Sequence, residues 1–440
     1  MLYRQAVRLH NASAPRRAWL LASKVRREGR AMSGLPLFVP RPALRFAVIG
    51  GGFAGCAVAW HLLAAARAHS PIAVTLYDGA GLCGGASRAA AGLLHPFTPR
   101  GRLLWRGDEA VADALELVAA AEAAAARAAA CAACDTDKTE RDPDIGLEDR
   151  FVWRQPLMRP ARNEQQAREF AAAEGRTTGS GFQVSPLPAA AVAALAPGMC
   201  ADAIAAASAA GGAGAALLVQ GGLVLHPERY LRALWEACRQ RAADIGGGCA
   251  AQLVRQHVPS LVQLQADAGP FDAVVVAAGA AVGVLPELRG LLPLELCQGF
   301  TLELAPPSGR AAHTLPGGTL YPAGAPSLLG EFYVAAQGRS TAVVGATRRY
   351  GLTPLASLAE CGKAVDWTRG EAAAAACELQ REAAALWPAA ASWQVAAVRS
   401  GVRAMPPRTQ DGKEQAHRNY GVQALATCSD LAHRVEDALK

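Results

Sequence analysis

Long apolar runs are missing from this chain of 440 residues. The most alanine-rich stretch, residues 110–133, is interrupted by charged side chains, so it predicts a surface or half-buried helix and not a membrane span. A phosphate-loop lysine motif and zinc-ligand spacing are also absent. The motif Cys131-x-x-Cys134 has neither a second cysteine pair nor a nearby histidine. We therefore expect no metal site and no membrane partner.

The serine-hydrolase elbow G-x-S-x-G is missing too, so Ser87 and His95 do not predict a serine nucleophile. A secretory signal is lacking, and the cysteine count of eleven is odd. Reduced thiols in a reducing compartment are therefore expected, rather than a framework of disulfides.

Acidic residues are scarce near the N-terminus. Residues 1–43 contain nine Lys and Arg but one acid, Glu28, so the rest of the chain carries a formal charge of −1 although the total is +7. An Arg-rich leader with scattered serines and no apolar core predicts a cleaved transit peptide for a chloroplast or mitochondrion. A basic tail on a cytoplasmic protein and a true start at Met32 are the alternatives. The near-neutral remainder predicts no overall attraction to nucleic acid.

The most informative motif that is present is Gly50-x-Gly52-x-x-Gly55, which follows the apolar strand 46–49. In this spacing the first glycine permits a tight turn, the second admits a diphosphate against the backbone, and the third lets helix and strand pack closely. A second apolar strand ends in Asp78, where a carboxylate can bind ribose hydroxyls. The motif therefore predicts a dinucleotide site with the diphosphate at a helix N-terminus.

Four further blocks stand downstream: Gly84–Pro96, Gly221–Tyr230, Phe271–Ala280 and Val398–Pro407. Together with the glycine motif, their order and spacing resemble the D-amino-acid oxidase superfamily of flavoproteins, which includes glycine oxidase and sarcosine oxidase. The resemblance covers roughly residues 44–408. It implies an FAD-dependent oxidoreductase of the amine or amino-acid oxidase type.

The resemblance also implies which residues hold FAD. The three motif glycines would cradle the diphosphate, Asp78 the ribose, and Ala86 and Ser87 the phosphates and the near edge of the flavin. The backbone of Val254 would pair with the adenine, and Gly279 would close the pocket beside it. The implied cofactor-binding residues are Gly50, Gly52, Phe53, Ala54, Gly55, Asp78, Gly85, Ala86, Ser87, Gly92, Leu93, Val254 and Gly279.

By the same resemblance, the substrate is a small-molecule amine that bears a carboxylate. Hydride leaves the carbon beside the amine for the flavin, and water hydrolyses the resulting imine. Arg403 would bind the substrate carboxylate through two hydrogen bonds, and Tyr333 would close over the substrate. The residues themselves leave two alternatives open, in which Arg403 pairs with a structural acid and Tyr333 packs in the core.

The block Gly84–Pro96 and the residues Phe97-Thr98-Pro99 look most like the oxidase half of the bacterial enzyme that makes 5-methylaminomethyl-2-thiouridine in tRNA. A carboxymethylaminomethyl group on a tRNA wobble uridine is therefore an alternative substrate, and it would require a basic rim around the cleft. A free amino acid would require a small closed pocket.

The C-terminus departs from the family pattern, because no second glycine-rich turn follows Asp411-Gly412 and the chain ends in a predicted short helix, Leu431–Leu439. In the family that the chain resembles, the helix after this turn points its N-terminus at the flavin and stabilises the reduced form, so we expect this contribution to be missing here. The non-enzymatic alternative is a catalytically degenerate member of the family that serves as an interaction module.

These patterns predict an α/β fold, with a discontinuous Rossmann-like FAD-binding domain and an antiparallel-sheet substrate domain. The predicted segments are a leader at 1–43, FAD-binding parts at 44–149, 201–290 and 393–440, and substrate-domain parts at 150–200 and 291–392.

Overall fold

Apolar strands and alanine-rich helices alternate along the first half of the chain. The computed structural model describes residues 42–134, 150–307, 320–351 and 365–407. Residues 1–41 of the predicted leader, the acid-rich segment 135–149, and the C-terminal tail with its predicted helix lie outside the described residues.

The strands are β1 (Leu44–Ile49), β2 (Ile72–Tyr77), β3 (Leu93–Leu94), β4 (Val152–Arg154), β5 (Leu157–Pro160), β6 (Arg176–Thr177), β7 (Gln183–Leu187), β8 (Ala216–Gln220), β9 (Leu223–Leu225), β10 (Ala250–Val254), β11 (Ala273–Val276), β12 (Glu295–Ala305), β13 (Ser327–Leu328), β14 (Tyr333–Ala336), β15 (Ala342–Gly345) and β16 (Gln394–Met405). The α-helices are α1 (Phe53–Ala65), α2 (Gly107–Cys134), α3 (Glu164–Ala171), α4 (Ala189–Leu195), α5 (Ala201–Ala209), α6 (Pro227–Ile245), α7 (Leu261–Ala268) and α8 (Gly370–Leu386).

The glycine motif follows β1, a central strand of a four-stranded parallel sheet in the order β10-β2-β1-β11. Its central strands are nearly continuous runs of apolar residues, as expected where both faces of a parallel sheet are covered. Val48 lies opposite Leu76 on one side and Val275 on the other. Buried residues of α1, α2 and α6 pack with β1 and β2 in one core.

A second sheet has nine strands in the order β16-β12-β15-β14-β13-β5-β8-β7-β6. Its neighbours are antiparallel, except that β13 and β5 are parallel. Helices α4, α5 and α8 contribute buried residues to the core on this sheet. A three-stranded antiparallel sheet, β3-β9-β4, includes β3 from the block Gly84–Pro96, which we call the flavin-loop block.

The predicted α/β class, with a parallel Rossmann-like sheet and an antiparallel sheet, is confirmed. Two predicted segment boundaries differ from the observed sheets. Strand β16, predicted in the third FAD-binding part, pairs along its length with β12 in the nine-stranded sheet. Strand β8, predicted in the second FAD-binding part, pairs with β5 and β7 in that same sheet. A cofactor motif shows that residues lie near a ligand, but it does not show which sheet their strand joins. Strand pairing depends on how apolar side chains alternate along strands that are distant in sequence.

The long helix α2 occupies the alanine-rich stretch that the sequence analysis predicted as a helix. In the part of the chain that the structure describes, no helix combines the length and apolarity that crossing a membrane requires.

Candidate active site

The glycine motif forms the turn between β1 and α1, and its geometry requires glycine. Gly50 has φ +113°, and a Cβ there would lie 2.3 Å from the Ala277 carbonyl oxygen. A Cβ on Gly55 would lie 1.8 Å from the Gly50 carbonyl oxygen. Neither position has space for a side chain, because helix, turn and strand approach through bare backbone.

Gly52 is the N-cap residue of α1, and the N-terminus of this helix has no competing anion. The first turn of α1 contains no acidic residue and no side-chain cap. The Phe53 N–H donates a hydrogen bond to Ser87 Oγ, with N and O 3.2 Å apart. The positive end of the helix dipole at this turn therefore suits an anionic group such as a diphosphate.

Asp78 is held beside this turn by two backbone amides. Its Oδ2 accepts a hydrogen bond from the Gly51 N–H at 2.7 Å, and its Oδ1 accepts one from the Ala80 N–H at 2.9 Å. Each carboxylate oxygen retains a further lone pair, so ribose hydroxyls can still donate to it. The carboxylate is thus oriented before any ligand arrives.

Val254 is the last residue of β10, and Gly279 follows β11; these are the outer strands of the parallel sheet. The Val254 carbonyl oxygen accepts hydrogen bonds from the amides of Asp78 at 3.1 Å and Gln256 at 2.9 Å, so both its lone pairs are engaged. Gly279 begins a 3-10 helix, Gly279–Val284, and a Cβ on it would meet open space. Neither residue lines the cavity described next, and their predicted adenine contacts stay predictions.

A cavity of about 460 Å³ lies between the flavin-loop block and the nine-stranded sheet. Its polar lining residues among those described are Thr301, Tyr230, Tyr333 and Arg403, and the rest of the lining is apolar or glycine. Seven residues predicted from the sequence meet in this lining: Phe53, Ala54, Ala86, Gly92, Leu93, Tyr333 and Arg403. The other predicted residues, Gly50, Gly52, Gly55, Asp78, Gly85, Ser87, Val254 and Gly279, do not line this cavity.

Glycines on the sheet face create the space for this cavity, and the sequence analysis missed them. Gly345 lies opposite Tyr333, and a Cβ on it would be 2.6 Å from the Tyr333 hydroxyl oxygen. Gly401 lies under the 3-10 helix Ala86–Ala89, and a Cβ there would be 2.9 Å from Ala86 Cα. Glycine inside a strand is the sequence signal of such close approaches.

Arg403 lies on β16 and is half-buried. Its Nη2 donates to the Thr347 carbonyl oxygen at 3.4 Å and to Cys297 Sγ at 3.5 Å. Among the described residues, no carboxylate forms an ion pair with Arg403. Arg399, four residues earlier on the same strand, does pair with Glu303. The alternative in which Arg403 pairs with a structural acid therefore has no support among the described residues.

Tyr333 lies on β14 and lines the cavity. In the sheet, Gly345 of β15 lies between Tyr333 and strand β12. Burial raises the pKa of Tyr333 above its usual value, and the nearby Arg403 cation opposes that shift only in part. The phenol therefore stays protonated at neutral pH and can donate a hydrogen bond into the cavity. Tyr230, which also lines it, has its pKa raised by burial in the same way.

Thr301 is a cavity residue that the sequence analysis did not find. It is 2% exposed, and its hydroxyl has no hydrogen-bond partner among the described residues. It sits between Arg399 and Gly345 in the strand register, on the face that carries Arg403. Its burial depends on strand pairing, which no local pattern in the sequence discloses.

Metal and hydrolase chemistry have no support in the described residues. No cluster of three or more His, Cys, Asp or Glu side chains is placed to hold a metal ion there. Ser87 accepts from Phe53, while His95 Nδ1 accepts from the Phe97 N–H at 3.3 Å. Burial lowers the His95 pKa to about 4, so this imidazole is neutral at physiological pH.

The turn, the carboxylate and the cavity together define a dinucleotide-dependent oxidoreductase. The residues fit FAD, because Gly52 leaves the N-terminus of α1 uncovered for a diphosphate beside Ser87, and the mainly apolar cavity continues from that turn. A family described as DAO, FAD dependent oxidoreductase, matches residues 45–424. The chain therefore belongs to the DAO family of FAD-dependent oxidoreductases, and its cofactor is FAD.

Solved structures show the same fold at low sequence identity. Glycine oxidase from Geobacillus kaustophilus is 18% identical with a TM-score of 0.51, covering 90% of this chain and 95% of its own. L-alpha-glycerophosphate oxidase from Mycoplasma pneumoniae with FAD bound is 14% identical, with a TM-score of 0.52 and coverages of 90% and 95%. L-amino acid deaminase from Proteus vulgaris is 10% identical, with a TM-score of 0.54 and coverages of 90% and 94%. No curated protein sequence matches the chain significantly.

Proposed function

We propose that this enzyme oxidises a C–N bond in an amine that bears one carboxylate, either an amino acid or an N-substituted glycine. The observation that carries the proposal is that Arg403 is the one charged residue among the described residues that line the cavity, and that no described carboxylate pairs with it. A partly buried cation without a counter-ion is unfavourable unless a ligand supplies the negative charge. A substrate carboxylate would supply it.

The chain's own residues orient such a substrate. When bound, FAD accepts the hydride that leaves the carbon next to the amine nitrogen. Arg403 binds the carboxylate through the N–H groups that remain free, and the protonated Tyr333 hydroxyl donates to it or to the nearby amine. The apolar lining disfavours an ammonium group, so the amine binds neutral and no general base is required.

The names of similar structures support an amine substrate. One neighbour is a glycine oxidase and another is an L-amino acid deaminase. A third is named an iminodiacetate oxidase, from Chelativorans sp. BNC1, at 17% identity and a TM-score of 0.50, covering 88% of this chain and 93% of its own. We infer a substrate with one carboxylate for this chain, since Arg403 is the one cation among the described lining residues.

The tRNA alternative stays a prediction that the described residues do not favour. It requires unpaired cations around the cavity mouth. The arginines nearest to Arg403 along the strand and the flavin loop already have acidic partners, Arg399 with Glu303 and Arg88 with Glu228 at 3.7 Å. The small apolar cavity fits the free amine better.

The purified protein is expected to be yellow, and carboxylate-bearing amines should bleach its visible flavin absorbance under anaerobic conditions. N-methylglycine and glycine are the first substrates to mix with it. Two matched compounds serve as controls: glycolate keeps the carboxylate but lacks the amine, and N-methylglycine amide keeps the amine but lacks the charge. Bleaching should be at least about tenfold slower with either control, because one charged contact or the reacting bond is missing.

Equal bleaching by N-methylglycine and its amide would contradict the carboxylate requirement. Bleaching by glycolate alone would indicate oxidation at a C–O bond instead. A stable, colourless protein that cannot be reconstituted with FAD would favour the non-enzymatic alternative.

We also propose that residues 1–43 direct import into a chloroplast or mitochondrion. A fusion of this segment to a fluorescent protein is expected to enter one of these organelles and to be shortened by processing. The matched control replaces its nine Lys and Arg by Gln, which removes the charge that import requires. Cytoplasmic fluorescence from the unaltered fusion would rule the proposal out.

A further inference from the structure

Cys297 contacts the guanidinium of Arg403 from directly across the strand pair. The two residues are register partners in β12 and β16. Cys297 is fully buried, at 0% exposure, and its Sγ lies 3.5 Å from Arg403 Nη2. The Thr347 carbonyl oxygen lies 3.4 Å from the same nitrogen. Both acceptors therefore hold one terminal nitrogen of the arginine.

This arrangement leaves most of the guanidinium available. An arginine side chain has five N–H donors, and the two on Nη2 are those directed at Cys297 and Thr347. The donors on Nε and Nη1 have no partner among the described residues. Gly299 lies alongside, and a Cβ on it would be 3.1 Å from Arg403 Nη2, so the arginine lies across the backbone of β12.

Arg399 has a carboxylate as its acceptor, in contrast to Arg403, which has a thiol. Arg399 and Arg403 are four positions apart on β16 and therefore share a face of the sheet. Arg399 is paired with the carboxylate of Glu303, which neutralises its charge. A thiol is a weak, neutral acceptor that orients Arg403 without neutralising it.

We propose that Cys297 is a positioning residue for the substrate-carboxylate clamp. Its thiol, together with the Thr347 carbonyl, fixes Nη2 so that the remaining N–H donors of Arg403 meet the substrate carboxylate. This inference rests on the proposed function. It adds a residue that makes no contact with the substrate and acts through Arg403.

The test replaces Cys297 by Val, which removes the acceptor at similar volume, and by Ser, which retains an acceptor. With N-methylglycine, Cys297→Val is expected to raise KM about three- to tenfold and to leave kcat within about twofold, the range expected for one lost hydrogen bond. The KM of Cys297→Ser should lie between those of Cys297→Val and the wild type. The Kd of acetate, measured from its perturbation of the flavin spectrum, should rise by the same factor as KM.

A double-mutant cycle separates positioning from a general packing effect. In an Arg403→Ala background, Cys297→Val should change KM by less than about twofold, because the thiol then has nothing to orient. Cys238→Val is the matched control for loss of a buried thiol, since Cys238 is also 0% exposed but lies in helix α6. It should leave KM and the acetate Kd unchanged.

Two results would overturn the inference: an unchanged KM and acetate Kd in Cys297→Val, or an equal effect of this substitution with and without Arg403. If the wild type oxidises no carboxylate-bearing amine, the proposed function fails instead. Acetate binding to Cys297→Val would then still decide whether the thiol positions Arg403.

Discussion

A Gly52→Val variant is expected to purify without flavin and to resist reconstitution. A Cβ on Gly52 would lie 2.8 Å from Ser87 Oγ, and the two methyl groups of valine would cover the first amides of α1. Hydrogen bonds from backbone amides to an anionic group contribute about 1.5–3 kcal/mol each. Losing two of them weakens FAD binding by at least about a hundredfold. The ratio of flavin to protein after gel filtration measures the effect.

The control for this variant is Gly175→Val. Gly175 is exposed, and a Cβ on it would lie 3.7 Å from the Val184 carbonyl oxygen, an ordinary contact distance. This variant should keep the flavin content and melting temperature of the wild type. A folded Gly52→Val protein with full flavin content would show that the diphosphate does not rest on this turn, and the cofactor assignment of the glycine motif would fail.

The glycine turn could be predicted from the sequence because its geometry is local. Three glycines at fixed spacing between an apolar strand and a helix leave few backbone paths, and the structure has Gly50 and Gly55 where no side chain fits. Asp78 was predictable for the same reason, since it ends the strand that pairs with β1.

The substrate side of the cavity was only partly predictable. Tyr333 and Arg403 were found through family resemblance, and the structure brings both to one cavity although they are far apart in sequence. Thr301 and Cys297 were not found, because their positions depend on the registers of β12 with β15 and β16. Register in an antiparallel sheet is set by long-range pairing, so no window of sequence contains it.

The same limit explains why the predicted segments differ from the observed sheets. The motif containing Arg403 falls within the predicted third FAD-binding part, residues 393–440. In the structure β16 belongs to the nine-stranded sheet, and its face reaches the flavin loop only because Gly401 lets the 3-10 helix Ala86–Ala89 approach. Proximity to a ligand and membership of a sheet are separate properties, and the sequence motif reports the first.

An Arg403→Ala variant is expected to lose about ten- to a hundredfold or more in kcat/KM for N-methylglycine. A hydrogen bond to a charged group contributes about 1.5–3 kcal/mol, and each 1.36 kcal/mol corresponds to about tenfold in rate. Arg403→Lys should recover only part of the loss, because an ammonium cannot form the planar two-point contact of a guanidinium. Flavin content should stay unchanged, since Arg403 lies on the sheet side of the cavity. Steady-state kinetics on flavin-loaded protein measures the effect.

N-methylglycine amide, which has no carboxylate, tests whether the loss of activity in Arg403→Ala comes from lost recognition of the carboxylate charge. Wild-type enzyme should prefer N-methylglycine over N-methylglycine amide, and in Arg403→Ala the two kcat/KM values should approach each other, because the group that distinguishes them is gone. Arg168→Ala is the control for loss of an arginine charge, since Arg168 is exposed and pairs with Glu164 on helix α3. It should keep the wild-type preference. If Arg403→Ala also keeps that preference, another cation binds the carboxylate, and the positioning of Arg403 by Cys297 would have no role in substrate recognition.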